Sequence, residues 1–236
     1  MLYVIATPIG NLEDISLRAV SVLNSVDLIL AEDTRVTKNL LDKYNIKTPM
    51  TINPDALPRR GRGPDRFASG KINEIISMLK EGSNLALVSD AGTPGINDPG
   101  NYLISQILEE IPDIKIVAVP GANAAIAALS ISGFSTDKFV YLGFPPHKKG
   151  RQTFFKKIGQ MDETVVFYES KHRILKALKE LNTISQLEDR QIMVARELTK
   201  QFETIYRGTS EEVFNRLNKG KENLLGEFVV VVNHRT

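Results

Sequence analysis

The amino-acid sequence predicts an α/β protein of two domains, with a parallel sheet in the first and a mixed sheet in the second. Two observations predict this fold class. In the first half, short apolar runs alternate with amphipathic stretches of helical spacing, which is typical of parallel strands joined by right-handed helical crossovers. In the second half, two strand candidates follow each other too closely for a helix between them, so part of that sheet is antiparallel. We place the boundary so that the domains are residues 1–119 and 120–236.

The first domain contains apolar runs that we interpret as buried strands, at residues 2–6, 27–31, 85–89 and 115–119. Between them, apolar residues recur every three or four positions, as on one face of a helix. Ile15, Leu17, Val20 and Leu23 are apolar positions of one such segment. Helices are therefore predicted at residues 15–23, 34–44, 71–79 and 99–109.

The second domain begins with a predicted helix of small residues at 122–129. Further helices are predicted at residues 151–158, 174–181 and 210–217. Strands are predicted at residues 139–143, 164–168, 191–196, 202–207 and 227–232. The segment 196–202 is too short for a helical crossover, so the two strands beside it are predicted to form an antiparallel hairpin.

The composition excludes several classes of protein. The chain has 236 residues and no cysteine, so disulfides and thiolate metal sites are excluded. Its net charge is only +2, so a basic surface can exist only as a local patch. The three histidines lie far apart in the sequence, and no metal site is expected. No apolar run reaches the roughly 18 residues of a membrane span, and the N-terminus lacks the basic region of a signal peptide. We therefore expect a cytoplasmic protein with no membrane partner.

The segment LALVSDAGTPGINDPG, residues 85–100, is the strongest candidate for a binding loop. A buried strand leads directly into a loop that is rich in glycine and proline and carries Asp90 and Asp98. Ligands of α/β sheets bind at the carboxyl ends of the strands, and glycines let the backbone approach a ligand closely. Two aspartates disfavour a phosphate and suit a cation, a hydroxyl or an amino group. Similar loops, ATPIGN and VPGAN, follow the first and the last strand of this domain.

Several motifs along the chain together resemble the tetrapyrrole methylase superfamily. In chain order they are ATPIGNLEDIS, AEDTR, VSDAGTPGINDPG, VPGANAAIAALSISG, LGFPP, FYESKHRI, ARELTKQFE and GEFVVVV. Within the superfamily, SDAGTP and ARELTK are similar to the branch that methylates a cytidine ribose 2′-hydroxyl in small-subunit ribosomal RNA. The resemblance implies a two-domain class III methyltransferase with S-adenosyl-L-methionine bound in a cleft between the domains. It also implies a homodimer that acts on 16S ribosomal RNA or on the assembled small ribosomal subunit.

The resemblance further implies which residues contact the cofactor. They lie in the loops after the strands, at the start of the small-residue helix and near the last strands of the chain. They are Ile9, Ser89, Asp90, Ala91, Gly92, Thr93, Gly121, Asn123, Ala124, Tyr168 and Glu197.

The sequence does not single out one residue as the catalytic base. A ribose hydroxyl is a weak acid, so a nearby base assists its attack, and Glu32, Asp33 and Lys171 are the candidates.

Basic side chains near the loops and helix starts are expected to bind the phosphates of the RNA backbone. The candidates are Arg18, Arg35, Lys38, Lys148, Lys149 and Arg151, and HKKGRQ, residues 147–152, is the strongest cluster.

Three further expectations concern less specific features. Residues 53–70, rich in Arg, Gly and Pro, form either an exposed mobile loop or an RNA-contacting loop, where related chains carry a motif with His and Asn. Exposure of Phe139, Phe144 and Phe155 is expected to support the homodimer. A tetrapyrrole-type small-molecule methyltransferase and an inactive RNA-binding chaperone are the alternative functions, because fold analogy alone does not settle the substrate.

Overall fold

A computed structural model describes residues 1–57, 66–187 and 189–234 of the chain, with the backbone alone of residues 66–68. The chain folds into two compact units, Met1–Asn123 and Ala124–Thr236. Each unit contains one sheet with helices packed against it. The predicted fold class, with a parallel sheet in the first half and a mixed sheet in the second, is confirmed.

The described part of the first unit contains a five-stranded parallel sheet in the order β3-β2-β4-β1-β5. Its strands are β1 (Leu2–Ile5), β2 (Leu28–Ala31), β3 (Met50–Ile52), β4 (Leu85–Val88) and β5 (Ile116–Val119). Its helices are α1 (Leu17–Ser25), α2 (Thr34–Lys43), α3 (Arg66–Lys80) and α4 (Asn101–Glu110). Buried residues of α1 and α2 form one core, and those of α3 and α4 form another. The helices therefore cover both faces of the sheet, as all-parallel sheets require.

The described part of the second unit contains a five-stranded mixed sheet in the order β6-β7-β10-β8-β9. Only β6 and β7 pair in parallel, and the other neighbours are antiparallel. Its elements are α5 (Ala124–Ser132), β6 (Phe139–Tyr141), α6 (Arg151–Gln160), β7 (Thr164–Ser170), α7 (Ile174–Asn182), β8 (Ile192–Arg196), β9 (Thr204–Gly208), α8 (Ser210–Leu217) and β10 (Glu227–Val232). Arg196 pairs with Thr204 across β8 and β9, which confirms the predicted hairpin.

Three details differ from the sequence-based expectations. The short edge strand β3 was not predicted, because its residues are only half-buried and it is three residues long. Helix α3 begins at Arg66 and not at the predicted position 71. It therefore includes Gly70, although glycine is a poor helix former. Phe155 was expected at the surface but is 1% exposed, and its ring packs edge-on against Phe154 and Phe167 in the core. Phe155 therefore cannot support a dimer contact.

A buried ion network joins β7, α6 and α7 in the second unit. The side chain of Glu169, at the end of β7, is 0% exposed. Its Oε2 accepts a hydrogen bond from Arg151 Nη2 at 2.9 Å, and its Oε1 lies 3.1 Å from Arg173 Nε. Arg151 Nε also donates to Glu180 Oε2 at 2.7 Å. Two guanidinium groups therefore compensate a carboxylate that has lost its water.

The same two arginines fix the segment between β6 and α6, residues 142–150. Arg173 Nη1 donates to the carbonyl of Pro145 at 3.2 Å, and Arg151 Nη1 donates to that of Pro146 at 3.4 Å. This finding corrects the predicted contact of Arg151 with RNA. Its side chain is 3% exposed, and two carboxylates already engage its charge, so it has a structural role.

We predict that Arg151→Met lowers the free energy of unfolding by about 3–5 kcal/mol, the usual cost of removing one partner of a buried ion pair. Urea unfolding monitored by circular dichroism measures the change. Lys156→Met, at an exposed position of the same helix, should stay within about 0.5 kcal/mol of the wild type. Equal midpoints for Arg151→Met and the wild type would show that the network does not stabilise the unit.

Candidate functional site

The parallel sheet of the first unit brings four loops to one edge. Residues 6–11 follow β1, residues 32–33 follow β2, residues 89–100 follow β4 and residues 120–123 follow β5. Because the strands are parallel, their carboxyl ends meet at the same edge of the sheet, where ligands of such folds bind. All the cofactor residues predicted within this unit lie in these loops.

Hydrogen bonds join the loop after β1 to the loop after β4. Thr7 and Gly92 exchange both backbone hydrogen bonds, at 2.9 and 3.1 Å, and Thr7 Oγ1 donates to the carbonyl of Ser89 at 3.0 Å. Gly92 has a φ of +90°, and a Cβ there would lie 3.4 Å from Ile9 Cγ2. The predicted residues Ile9, Ser89 and Gly92 are therefore neighbours.

The loop after β5 packs onto the same group. Thr93 Oγ1 donates to the carbonyl of Ala122 at 3.2 Å. A Cβ on Gly121 would approach the Cβ of Ala6 to 3.0 Å, which is tighter than almost all real contacts. The backbone of Gly121 can therefore lie against the first loop only because glycine has no side chain.

Two carboxylates join the ends of β2 and β4. Asp90 Oδ1 accepts a hydrogen bond from the amide of Asp33 at 2.9 Å, and Glu32 Oε2 accepts one from the amide of Asp90 at 3.1 Å. Among the described residues, none donates a hydrogen bond to Asp90 Oδ2. One oxygen of Asp90 thus holds the loop, and the other is available to a positively charged ligand.

The carboxyl groups at this edge have displaced pKa values. Burial, together with the negative charges of Glu32 and Asp90, raises the pKa of Asp98 to about 7. Burial also raises the pKa of Glu32 and of Asp90. In contrast, hydrogen bonds from Arg35 lower the pKa of Asp33 to about 2. Such clusters of perturbed carboxyl groups are common in functional sites.

These contacts correct the interpretation of Asp33 as a catalytic base. Its carboxylate caps α2, accepting a hydrogen bond from the Arg35 amide at 2.9 Å, and it pairs with the Arg35 guanidinium. A group with a pKa of about 2 binds a proton too weakly to act as a base near neutral pH. Asp98, which the sequence marked only as part of the loop, has the better-matched pKa.

In the second unit, Tyr168 lies against the start of α5. Its hydroxyl oxygen accepts a hydrogen bond from the amide of Ala125 at 3.2 Å. The ring also meets those of Tyr141 and Phe144 edge-on, with centroids 5.4 Å apart in both pairs. The predicted residues Ala124 and Tyr168 are therefore close together, and Asn123 directly precedes Ala124 in the chain.

Glu197 lies in the turn between β8 and β9 with a φ of +52°. Its Oε1 accepts hydrogen bonds from the amide of Glu227 at 2.9 Å and from Lys200 Nζ at 3.0 Å. Burial by itself raises the pKa of Glu197, but these two hydrogen bonds and the positive charges of Lys200 and Arg196 together outweigh it and lower the pKa. The contacts attach the turn to β10, and the contact of Glu197 with the cofactor stays a prediction.

The other predicted charged residues lie at the surface of their own units. Arg18 is on α1, Arg35 and Lys38 are on α2, and all three are exposed. In the second unit the exposed residues are Lys148 and Lys149, before α6, and Lys171, between β7 and α7. The arginine cluster Arg59, Arg60 and Arg62 lies outside the described residues, as does the side chain of Arg66.

The described residues contain neither a group of metal ligands nor a membrane-spanning helix. Across residues 1–57, 66–187 and 189–234, no three His, Cys, Asp or Glu residues are grouped so that they could hold a metal ion. No helix in the same ranges is both long enough and apolar enough to cross a membrane.

Curated relatives cover nearly the whole chain. The chain is 41% identical over 233 residues to the ribosomal RNA small subunit methyltransferase I of Thermotoga maritima, covering 98% of this chain and 97% of the relative. It is 42% identical over 236 residues to the protein of the same name from Buchnera aphidicola of Acyrthosiphon pisum, covering 99% of this chain and 78% of the relative.

Solved structures share the fold at low identity. The cobalamin biosynthetic enzyme cobalt precorrin-4 methyltransferase, CbiF, has a TM-score of 0.69 at 17% identity, covering 98% of this chain and 94% of that one. The uroporphyrin-III C-methyltransferase of Thermus thermophilus, complexed with S-adenosyl homocysteine, has a TM-score of 0.63 at 15% identity, covering 98% and 96% of the two chains. The family model of the tetrapyrrole (corrin/porphyrin) methylases matches residues 1–213. The chain therefore belongs to the tetrapyrrole (corrin/porphyrin) methylase family.

Proposed function

We propose that this chain is an S-adenosyl-L-methionine-dependent methyltransferase that 2′-O-methylates a cytidine ribose of 16S ribosomal RNA. The observation that carries the proposal is the 41% identity to a small-subunit ribosomal RNA methyltransferase along 97% of that relative's length. Identity at this level over the full chain supports a shared reaction. The methylated nucleoside and the position on the ribose come from the motif resemblance.

The loops of the first unit fit part of the proposed cofactor. S-adenosyl-L-methionine supplies a methyl group already activated on a sulfonium, so the protein's main task is alignment of the reacting atoms. Ile9, Ser89 and Gly92 provide closely packed backbone and small side chains. Asp90 Oδ2 provides a carboxylate oxygen for a positive group, and such charge-assisted hydrogen bonds are among the strong ones.

Asp98 is the group that we assign as the base for the ribose hydroxyl. A general base works best when its pKa lies near the operating pH, and the pKa of Asp98 is about 7. Glu32 has a raised pKa, but its Oε2 is engaged by the Asp90 amide. Of the carboxyl groups with displaced pKa values at this edge, Asp98 therefore fits the role best.

The partners in this proposal are 16S ribosomal RNA, alone or in the assembled small subunit, and a second copy of the chain in a cytoplasmic homodimer. Exposed basic side chains in both units suit RNA phosphates. For the proposed homodimer, α5 and β6 offer exposed apolar side chains, since Ile126, Ile131 and Phe139 are 52%, 41% and 42% exposed.

A tetrapyrrole methyltransferase is the second candidate, favoured by the solved structures that share the fold. Their identity to this chain is below 20%, which carries the fold and not the substrate. The curated relatives at about 40% identity carry ribosomal names. The ribosomal substrate therefore has the stronger support.

We expect methyl transfer from labelled S-adenosyl-L-methionine to small ribosomal subunits or to 16S ribosomal RNA, with the label on one cytidine ribose. Nucleoside digestion and mass mapping locate the modified atom, and uroporphyrinogen serves as the competing acceptor. Label on a base atom, or on the tetrapyrrole alone, would contradict the proposal. A protein that binds RNA without transferring methyl groups would match the chaperone alternative.

Asp90→Asn should weaken the binding of S-adenosyl-L-methionine by about ten- to a hundredfold, the effect of losing a hydrogen bond to a charged group. Asparagine keeps an oxygen for the Asp33 amide, so the loop should stay in place. Calorimetric titration measures the affinity, and Asp42→Asn, at an exposed position of α2, is the control of equal charge change. Wild-type affinity in Asp90→Asn would mean that Asp90 only holds the loop.

Asp98→Asn should lower kcat by about 10²–10⁴-fold, the contribution of a general base, and abolish an acidic limb near pH 7 in the rate profile. Because the folded state raises the pKa of Asp98, the wild type loses stability as pH rises from the ordinary value of 3.8 through about 7. The variant should therefore melt at a higher temperature than the wild type at pH 8 but not at pH 4. Unchanged kcat in the variant would exclude Asp98 as the base.

A further inference from the structure

A cavity of about 410 Å³ opens beside the start of α6 in the second unit. His147 and Lys148, from the segment before α6, line one part of it, and Lys176, from α7, lines another. All three side chains are exposed. The cavity therefore brings basic groups from two separate elements to one volume.

The charge of this cavity is positive. Besides Lys148 and Lys176, the lining contains Arg151 and a single carboxylate, Glu180. Glu180 Oε2 accepts a hydrogen bond from Arg151 Nε at 2.7 Å, whereas its Oε1 is 4.0 Å from Lys176 Nζ. Glu180 therefore pairs more closely with the buried Arg151 than with Lys176, and the lining of the cavity keeps a net positive charge.

The cavity wall is held in place by the buried ion network. Glu169 fixes Arg151 and Arg173, which bind the carbonyls of Pro146 and Pro145 directly before His147. The segment that presents His147 and Lys148 is therefore attached at its base to the core of the unit. A wall of this kind loses little conformational freedom when an anion binds, which favours affinity.

We propose that this cavity binds a backbone phosphate of the RNA substrate. The inference rests on the proposed function, because it takes the ligand to be the RNA on which the enzyme acts. Phosphate oxygens are the groups that lysine side chains contact most often in nucleic-acid complexes. Every internal ribose of an RNA chain has phosphates on both sides, so a phosphate held here helps to fix the position of the strand.

The test is RNA binding by Lys148→Ala, Lys176→Ala and the double variant across a salt series. At low salt, the double variant should bind a 16S ribosomal RNA fragment about tenfold more weakly. Its plot of log affinity against log salt should be shallower by about 0.7–0.9, the effect of one lost phosphate contact. Lys156→Ala, an exposed lysine of α6 outside the cavity, should change neither quantity.

A direct readout comes from the ring resonances of His147, assigned by comparison with His147→Gln. In the wild type they should shift on addition of inorganic phosphate and of the RNA fragment, and RNA should displace the phosphate. In the double variant both shifts should be lost. Shifts with inorganic phosphate that RNA does not displace would overturn the proposal, because the cavity would then hold a free anion.

The two proposals fail in different ways. If the wild type methylates ribosomal RNA and the double variant keeps the wild-type salt slope and KM, the cavity proposal is overturned and the proposed function stands. If the wild type transfers no methyl group to ribosomal RNA, the proposed function fails on its own assay. A phosphate-dependent shift of His147 would then mark an anion site for another substrate, and the cavity proposal would fall with the function.

Discussion

The buried carboxylate of Glu169 is the constraint on which the functional surface of the second unit depends. A carboxylate without water is tolerated only when opposite charges surround it, and Arg151 and Arg173 supply them from α6 and from the turn before α7. The remaining donors of both arginines reach the carbonyls of the segment that follows β6. The need to compensate one charge thus also holds Pro145 and Pro146, in the segment that leads to α6, against the core.

The position of Glu169 on a strand explains why two sites adjoin it. Neighbouring residues of a strand point to opposite faces of the sheet. Glu169 points to the face that is covered by α6 and α7, while Tyr168 points to the other face and meets the amide of Ala125 at the start of α5. One strand end therefore supports a basic cavity on one face and the aromatic cluster of Tyr168 on the other.

The sequence predicted the elements better than the roles of single residues. Buried strands such as β4 and β7 are recognisable as apolar runs. The hairpin was predicted because the segment between its two strands is too short for a helix. The burial of Arg151 was missed because a basic motif looks the same whether its side chains meet solvent or a buried carboxylate. A signal was present, since Glu169 stands in the otherwise apolar strand TVVFYES, with Arg173 four residues later. The edge strand β3 and the pKa of Asp98 depend on tertiary contacts that no local pattern contains.

The contrast between the two units bears on how one fold serves different acceptors. At the edge of the parallel sheet, the contacts among Thr7, Gly92 and Gly121 are made by backbone and small side chains, so substitutions there disturb the loops themselves. His147, Lys148 and Lys176 are instead exposed side chains on a wall that the ion network holds. They can be exchanged without loss of the core, because the buried arginines and not the lysines carry the stability. Fold neighbours named for tetrapyrrole methylation and relatives named for ribosomal RNA methylation are compatible with our proposal that exchangeable surface side chains of this kind hold the acceptor.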